Sequence, residues 1–314
     1  RGSQLSLSLE RLQLNSNQKI IRTGLSATIG NTQDAAQFLT GTKKPCEIIK
    51  DRAIRKYEVE VKFVGGSISE VADSIIEYVE KLNLNSPILL FTNTRGESEF
   101  LASILRDKTM MNIELHHGSL SKQVREETEG ILRSGNRGIV VCTSSLELGL
   151  DIGSVELVIH YGSPRQVSKL VQRIGRSRHS RNSSARGLII TNNPDDEFEA
   201  KAILDRIKNS SIEEQKIHDN SLDVLAHHLV GLSFQIGEVS IDFAYKTIRQ
   251  AHPFRNLTLD EFCDVLEIFD SIYILYFDKE KMKFWKKRNS FRYFYENLST
   301  IPDILKFKVF DSVG

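Results

Sequence analysis

Cysteine is scarce in this chain, and a Gly-Lys pair is missing altogether. Cys46, Cys142 and Cys263 are odd in number, far apart and never spaced C-x-x-C, so they suggest neither a disulfide framework nor a zinc site. A reducing, intracellular compartment fits such usage. Without Gly-Lys there is no G-x-x-x-x-G-K-[ST] loop to cradle nucleotide phosphates. No apolar run approaches the roughly 20 residues of a membrane span. The first residues carry no signal-peptide pattern. A cytoplasmic protein with no membrane partner is expected. Arg1-Gly2-Ser3 reads equally as a cloning scar or as natural sequence.

Acidic pairs that could hold Mg²⁺ at the end of an apolar strand are also absent. Asp260-Glu261 follows Leu257-Thr258 and opens an amphipathic helix. Asp195-Asp196-Glu197 does the same, and acidic first turns suit the helix dipole. His227 and His228 are neighbours on a helix and point to different faces, so no metal site is expected. The net charge is only +1, yet charge is sorted locally: Arg165 to Arg186 is basic and Asp195 to Glu199 acidic. A polyanion responds to that local potential, not to the sum.

What is present centres on Val140 to His179. An apolar β-branched run meets Thr143-Ser144-Ser145, then Gly149-Leu150-Asp151, a second apolar run Val155 to Ile159, and a helix ending Gln172-Arg173-Ile174-Gly175-Arg176. Val167, Leu170, Val171 and Ile174 recur at helical spacing and form one apolar stripe. Gln172, Arg173 and Arg176 fall roughly opposite, so both guanidiniums are expected to point away from the buried face. Arg is the fixed-charge planar group suited to phosphate. The bland alternative is a solvated basic helix face.

Around this stretch the chain alternates strand and helix from Ile68 to Thr191. Pro87 to Thr92 has the continuous apolar core of a buried parallel strand. Val64-Gly65-Gly66-Ser67 reads as a linker. Residues 1–63 hold too few strands for a complete doubly wound sheet; Ile20 to Leu25 reads as a strand, and Pro45 to Ile49 and Tyr57 to Val64 as extended. From Ser221 the alternation stops. Leu222 to Phe234, Val239 to Arg249 and Leu259 to Phe269 read as helices, followed by extended Ser271 to Phe277: the outline of a winged helix. Lys279 to Tyr295 interleaves basic and aromatic residues around Trp285. It suits single-strand binding, or a hairpin with aromatics packed inward; both readings stay open.

QRIGRSRH preceded by TSSLELGLDIG resembles motifs V and VI of superfamily 2 helicases, and SSLELGLDIG with GSPRQV is similar to the large helicase-related (Lhr) family. Ser26-Ala27-Thr28 resembles motif III, Phe91 to Arg95 motif IV, and His117-Gly118-Ser119-Leu120-Ser121 the loop that follows. The resemblance runs from just after the DExH box to just inside the last core domain.

It implies an α/β fold: a partial RecA-like domain (1–63), a complete RecA-like parallel-sheet domain (65–193), a linker helix and winged helix (194–278), and the start of a truncated β-rich domain (279–314). It implies part of an ATP-dependent helicase working 3′-to-5′ on single strands. Arg173 and Arg176 would reach the γ-phosphate with Gln172 beside them. Gly149, Asp151 and Gly175 would shape the ATP side, and Ser26, Ala27 and Thr28 would couple the two sites. Thr94, Arg95, His117, Gly118, Thr143, Ser144 and Ser145 would contact the nucleic-acid backbone; Trp285, from the basic and aromatic segment read above, would stack a base. The cofactors would be ATP and Mg²⁺, whose ligands are not expected in this chain. The partners would be single-stranded DNA or RNA and the missing part of the first RecA-like domain in cis. Alone, the chain is expected to lack ATPase activity. The alternative is a non-catalytic nucleic-acid-binding or regulatory module, supported by the missing Lys and Mg²⁺ ligands; another superfamily 2 translocase is the third reading.

Overall fold

The computed structural model describes residues 1–26, 28–42, 44–50, 57–147, 155–177, 184–209, 211–214 and 216–298. From the amino end the elements are α1 (Gly2–Leu14), α2 (Thr32–Thr40), β1 (Tyr57–Phe63), α3 (Ile68–Leu82), β2 (Pro87–Phe91), α4 (Arg95–Lys108), β3 (Ile113–His116), α5 (Lys122–Ser134) and β4 (Gly138–Cys142). They continue with β5 (Leu157–Tyr161), α6 (Val167–Ile174), β6 (Ala185–Thr191), α7 (Pro194–Lys208), α8 (Leu222–Ile236), β7 (Val239–Ser240), α9 (Ile241–Ile248), α10 (Leu259–Ser271), β8 (Leu275–Asp278), β9 (Lys283–Lys286) and α11 (Ser290–Glu296). The chain divides into two bodies. One takes the described parts of Arg1–Leu25, Asn31–Ile49 and Gln215–Gly314; the other takes those of Ser26–Gly30 and Lys50–Glu214.

The second body is built on a six-stranded sheet in the order β1-β6-β5-β2-β4-β3, with every pairing parallel. Its inner strands are apolar on both faces because both faces are covered. Ile88, Leu90, Ile139, Val141 and Ile159 join a core with Val71, Ile75, Leu101 and Leu105 of α3 and α4. The alternate residues Leu89, Phe91, Val140, Cys142 and Val158 join Leu132 of α5, Val167 and Leu170 of α6, and Ile203 of α7. Period two along the strands thus distributes one sequence between two helix layers. Parallel strands all end on one edge, and the site lies on that edge.

Several expectations are corrected here. Tyr57–Phe63, assigned to the first piece, is the edge strand β1 of this sheet, paired residue for residue with β6. The reason is packing: Tyr57, Val59 and Val61 lie against the core under α6 and α7. Val64 to Ser67, read as an inter-domain linker, is the turn from β1 into α3. Val64 still donates to Thr191 O, Gly66 has φ +101°, and Ser67 caps α3 in a box with Glu70. Ile20 to Leu25 and Pro45 to Ile49 are not strands. Ile21 and Leu25 are exposed, and Arg22 anchors the first of these segments by donating to Glu10 and to the Leu9 and Leu39 carbonyls.

The first body is a winged helix with an added helical layer. Helices α8, α9 and α10 and an antiparallel sheet in the order β7-β9-β8 enclose Phe254, Phe262, Leu266 and Phe284. Leu7 of α1 enters the same core. Within Lys279 to Tyr295, the hairpin reading holds for β9, which pairs with the preceding β8 and buries Phe284. The remainder forms α11, because Tyr293 and Phe294 pack on the core and Phe294 stacks on His227. Segment 299–314 lies outside the described residues.

Candidate functional site

The carboxyl ends of β2, β3, β4 and β5 bring distant polar turns together. After β2, the Thr92 hydroxyl donates to Thr94 O, and Thr94 caps α4 in a box with Glu97. This leaves Asn93, Thr94 and Arg95 exposed at the start of a helix. Asn93 Nδ2 donates to Ser163 O across 2.9 Å, tying this turn to the one after β5. There Arg165 adopts φ +66° and pairs with Asp196 and Glu199 at 2.9 and 2.8 Å.

After β3, Gly118 is exposed with open space above its Cα. His117, expected as a backbone contact, is instead buried. Its Nδ1 accepts from Ser119 N–H, and Nε2 lies 3.1 Å from Glu99. Burial removes the ring from any surface contact. After β4, Thr143 is half-buried, Ser144 exposed and Ser145 half-buried. Thr143 N–H donates to His116 O. Ser145 Oγ meets His116 at its carbonyl (2.9 Å) and at Nδ1 (2.8 Å).

Helix α6 carries Arg173, with Arg176 on the 3-10 turn Gly175–Ser177 that follows it. Its amino end is closed by Glu213, whose carboxylate accepts from Val167 N–H at 2.5 Å and Ser168 N–H at 3.1 Å. Partial burial pushes that carboxyl up, but the N–H groups of Val167 and Ser168 outweigh it and the net shift is downward. The apolar stripe lies where helical spacing puts it: Val167, Leu170, Val171 and Ile174 are buried.

Arg173 corrects the outward expectation. It is 3% exposed. Its Nε and Nη2 donate to one oxygen of Glu147 at 3.0 and 2.9 Å, Nη1 donates to His160 Nε2, and the guanidinium lies over the Phe91 ring. A buried guanidinium persists because it is paired and hydrogen-bonded. The tautomer of His160 follows from its partners. Gly162 O can only accept, so Nδ1 carries the proton, and Nε2 offers its lone pair to Arg173. Burial first and Arg173 second push the His160 pKa down to about 3, so the ring is neutral at pH 7.

Arg176, one turn on, is half-buried, and its Nε and Nη2 donate to the carbonyl of the same Glu147. Gly175 is exposed beside it. Gln172 Nε2 donates to Thr28 Oγ1 at 2.6 Å, so two stretches singled out in the sequence, 144 positions apart, touch. Ser26 Oγ accepts from Thr28 N–H and donates to Thr28 O, which tightens that turn. Ala27, Gly149 and Asp151 lie outside the described residues. Trp285 belongs to the winged-helix body; it is half-buried and stacks on Tyr276 at 5.5 Å. No group of metal-ligating side chains occurs among the described residues.

Sequence reading missed Glu147, His160 and Glu213, and gave Asn93 no role of its own within the motif IV stretch. Glu147 lay inside the quoted TSSLELGLDIG stretch, where nothing local set it apart from Asp151.

Comparison with known proteins places the chain in a family. The family described as helicase conserved C-terminal domain matches residues 70–180, and the large helicase-related protein winged helix domain matches 205–284. The ATP-dependent helicase Lhr-Core of Methanocaldococcus jannaschii is 38% identical over 96% of this chain and 37% of its own length. Lhr-Core protein 2 of Thermococcus barophilus is 35% identical over 99% of this chain and 39% of its own. Among solved structures, the Mycobacterium smegmatis helicase Lhr bound to single-stranded DNA and AMP-PNP superposes with TM-score 0.82. It is 29% identical, covering 96% of this chain and 41% of that one. The chain therefore spans less than two fifths of the length of these curated relatives.

Proposed function

Because the chain belongs to the large helicase-related (Lhr) family of superfamily 2 helicases, we propose that it acts as part of an ATP-dependent helicase that tracks single-stranded DNA 3′-to-5′. The observation that carries this reading is the double hold on Glu147. Its carboxylate is bound by Arg173 and its carbonyl by Arg176, and it lies two residues beyond Ser145. A shift of the Thr143–Ser145 turn therefore pulls on Arg173 of α6 and on Arg176 just after it, which is the linkage a motor needs between strand contact and nucleotide.

In this reading Arg176 is the arginine that meets the γ-phosphate; an Arg in that role is worth roughly 10³–10⁵ in rate. Arg173 holds Glu147 instead of touching nucleotide. Gln172 links α6 to the Ser26–Thr28 turn. Thr94, Arg95, Gly118, Thr143 and Ser144 face the phosphate backbone through hydroxyls and helix-start amides, with Trp285 as a base-stacking ring. ATP supplies the phosphoryl group and Mg²⁺ its neutralising charge. The Lys and Mg²⁺ ligands are contributed from outside the sequence given, and the enzyme works in the cytoplasm. The relatives do not favour the non-catalytic module.

The test is strand-stimulated ATP hydrolysis, measured on this chain alone and combined with an Lhr first RecA-like domain. Activity only in combination, lost on Arg176→Ala with strand binding retained, is the expected result. A well-folded combination without activity would overturn the reading.

A further inference from the structure

His116 ends β3 with its ring 2% exposed, and the reading above gives it no role. Its Nδ1 lies 2.8 Å from Ser145 Oγ, and its Nε2 lies 3.3 Å from Glu129 Oε1 on α5. Ser145 Oγ is also 2.9 Å from the His116 carbonyl. Proton accounting then settles what Ser145 can do. A carboxylate only accepts, so Glu129 requires the ring proton at Nε2. In the neutral ring Nδ1 is therefore bare and takes the single hydroxyl proton of Ser145. In the doubly protonated ring Nδ1 donates to Ser145 Oγ, and the hydroxyl proton turns to the His116 carbonyl. Either way the Ser145 proton points inward, and its outward oxygen offers only lone pairs, which a phosphate repels. The charged and titratable groups around the ring are Glu129, which favours protonation, and Arg125, which opposes it; burial is the largest influence and holds His116 below its ordinary range.

We propose that His116, backed by Glu129, is a positioning residue that fixes the Thr143–Ser145 turn from within. Ser145 is a strut, and the exposed Ser144 hydroxyl is the phosphate-facing group of that turn. The proposal rests on the turn being a nucleic-acid contact; the internal proton network does not.

Two measurements on the full chain separate these. The first is ¹⁵N NMR of the His116 ring without nucleic acid. The proposal expects the Nε2–H tautomer at pH 7.5 and a shift of the Nδ1 resonance on Ser145→Ala. An Nδ1–H tautomer, or no shift, overturns the strut. The second is fluorescence anisotropy with a labelled single-stranded oligonucleotide. His116→Ala and Ser145→Ala should each weaken binding roughly three- to tenfold, and their double variant no further, since coupled residues are non-additive. His116→Asn, which keeps a group at the Nδ1 position, should restore binding to within about twofold, and Ser144→Ala should add to either loss. Additive losses for His116→Ala and Ser145→Ala would overturn the positioning role. Wild-type chain that binds no strand while the NMR result holds would sink the helicase contact and leave the internal strut intact.

Discussion

Arg173 and Glu147 hold each other inside the sheet body, with two guanidinium nitrogens 2.9 and 3.0 Å from one carboxylate oxygen. Arg173 belongs to the motif helix and Glu147 follows the Thr143–Ser145 turn, so the pair joins two stretches that the sequence presents as separate. Removing either partner leaves the other charge buried without its paired, doubly hydrogen-bonded counter-ion. Arg173→Ala should cost about 3–5 kcal/mol, read as a lower urea midpoint at unchanged slope. Arg173→Lys should recover only part of this, since an ammonium cannot reproduce the fork. A midpoint within experimental error of wild type would refute the buried-pair assignment.

Arg176 should behave in the opposite way. It donates to the main-chain carbonyl of Glu147 and is half-buried, where Arg173 is 3% exposed. Arg176→Ala should lower the unfolding midpoint less than Arg173→Ala does, because its guanidinium is less buried. In the assembled enzyme it should lower the hydrolysis rate by roughly 10³-fold or more. Equal losses of stability and rate in both arginine variants would contradict this division of labour.

Stability should fall on acidification, with His160 a main cause. Its folded pKa is depressed to about 3, so the unfolded chain binds a proton first as pH drops. Its contribution is complete above about pH 6.5, the unfolded value, and is lost down towards about pH 3. Between pH 7.5 and 5 that linkage amounts to about 2 kcal/mol. Buried His228, also depressed to about 3, acts in the same direction. Urea midpoints at the two pH values should therefore differ less in His160→Gln than in wild type. An identical difference in both proteins would show that the ring does not titrate as its surroundings dictate.

Gly30 is required by the closeness of Glu213. A Cβ there would lie 2.2 Å from the Glu213 carbonyl oxygen, and backbone must then move. Glu213 caps α6 through Val167 and Ser168. Gly30→Ala should lower Tm at least as much as Glu213→Ala, whose lost cap is worth about 0.5–2 kcal/mol. A thermal scan of both variants decides it; an unchanged Tm for Gly30→Ala would contradict the close approach.

Trp285 offers a half-buried ring stacked on Tyr276 in the winged helix. If it stacks on a base, Trp285→Ala should weaken single-strand binding by about 1–3 kcal/mol, and Trp285→Phe should keep part of that. A drop in Tm with affinity unchanged would leave the ring a purely structural part of the hairpin.

Much of this protein was legible in advance, for identifiable reasons. Alternating βα runs with continuous apolar cores fixed a parallel sheet, because only strands covered on both faces tolerate such runs. The stripe of Val167, Leu170, Val171 and Ile174 located the buried face of α6, and four helicase-like stretches in order pointed to the family. These are local signals, set by periods of two and 3.6 residues and by short motifs. Tyr57–Phe63 escaped, since an edge strand's membership depends on its partner, β6, more than a hundred residues on.

Tertiary structure alone decided the direction of Arg173. Helical spacing places it off the apolar stripe and so predicts exposure, but α6 is covered on more than one side. There Glu147, from the turn after β4, and His160, from β5, wait with complementary groups. Likewise, three polar turns after separate strands read as equivalent phosphate contacts until His116 and Glu129 are seen behind Ser145. Periodicity reports which face of an element meets apolar matter. Whether a polar side chain meets solvent or a buried partner depends on residues brought together only when parallel strands align their ends along one edge.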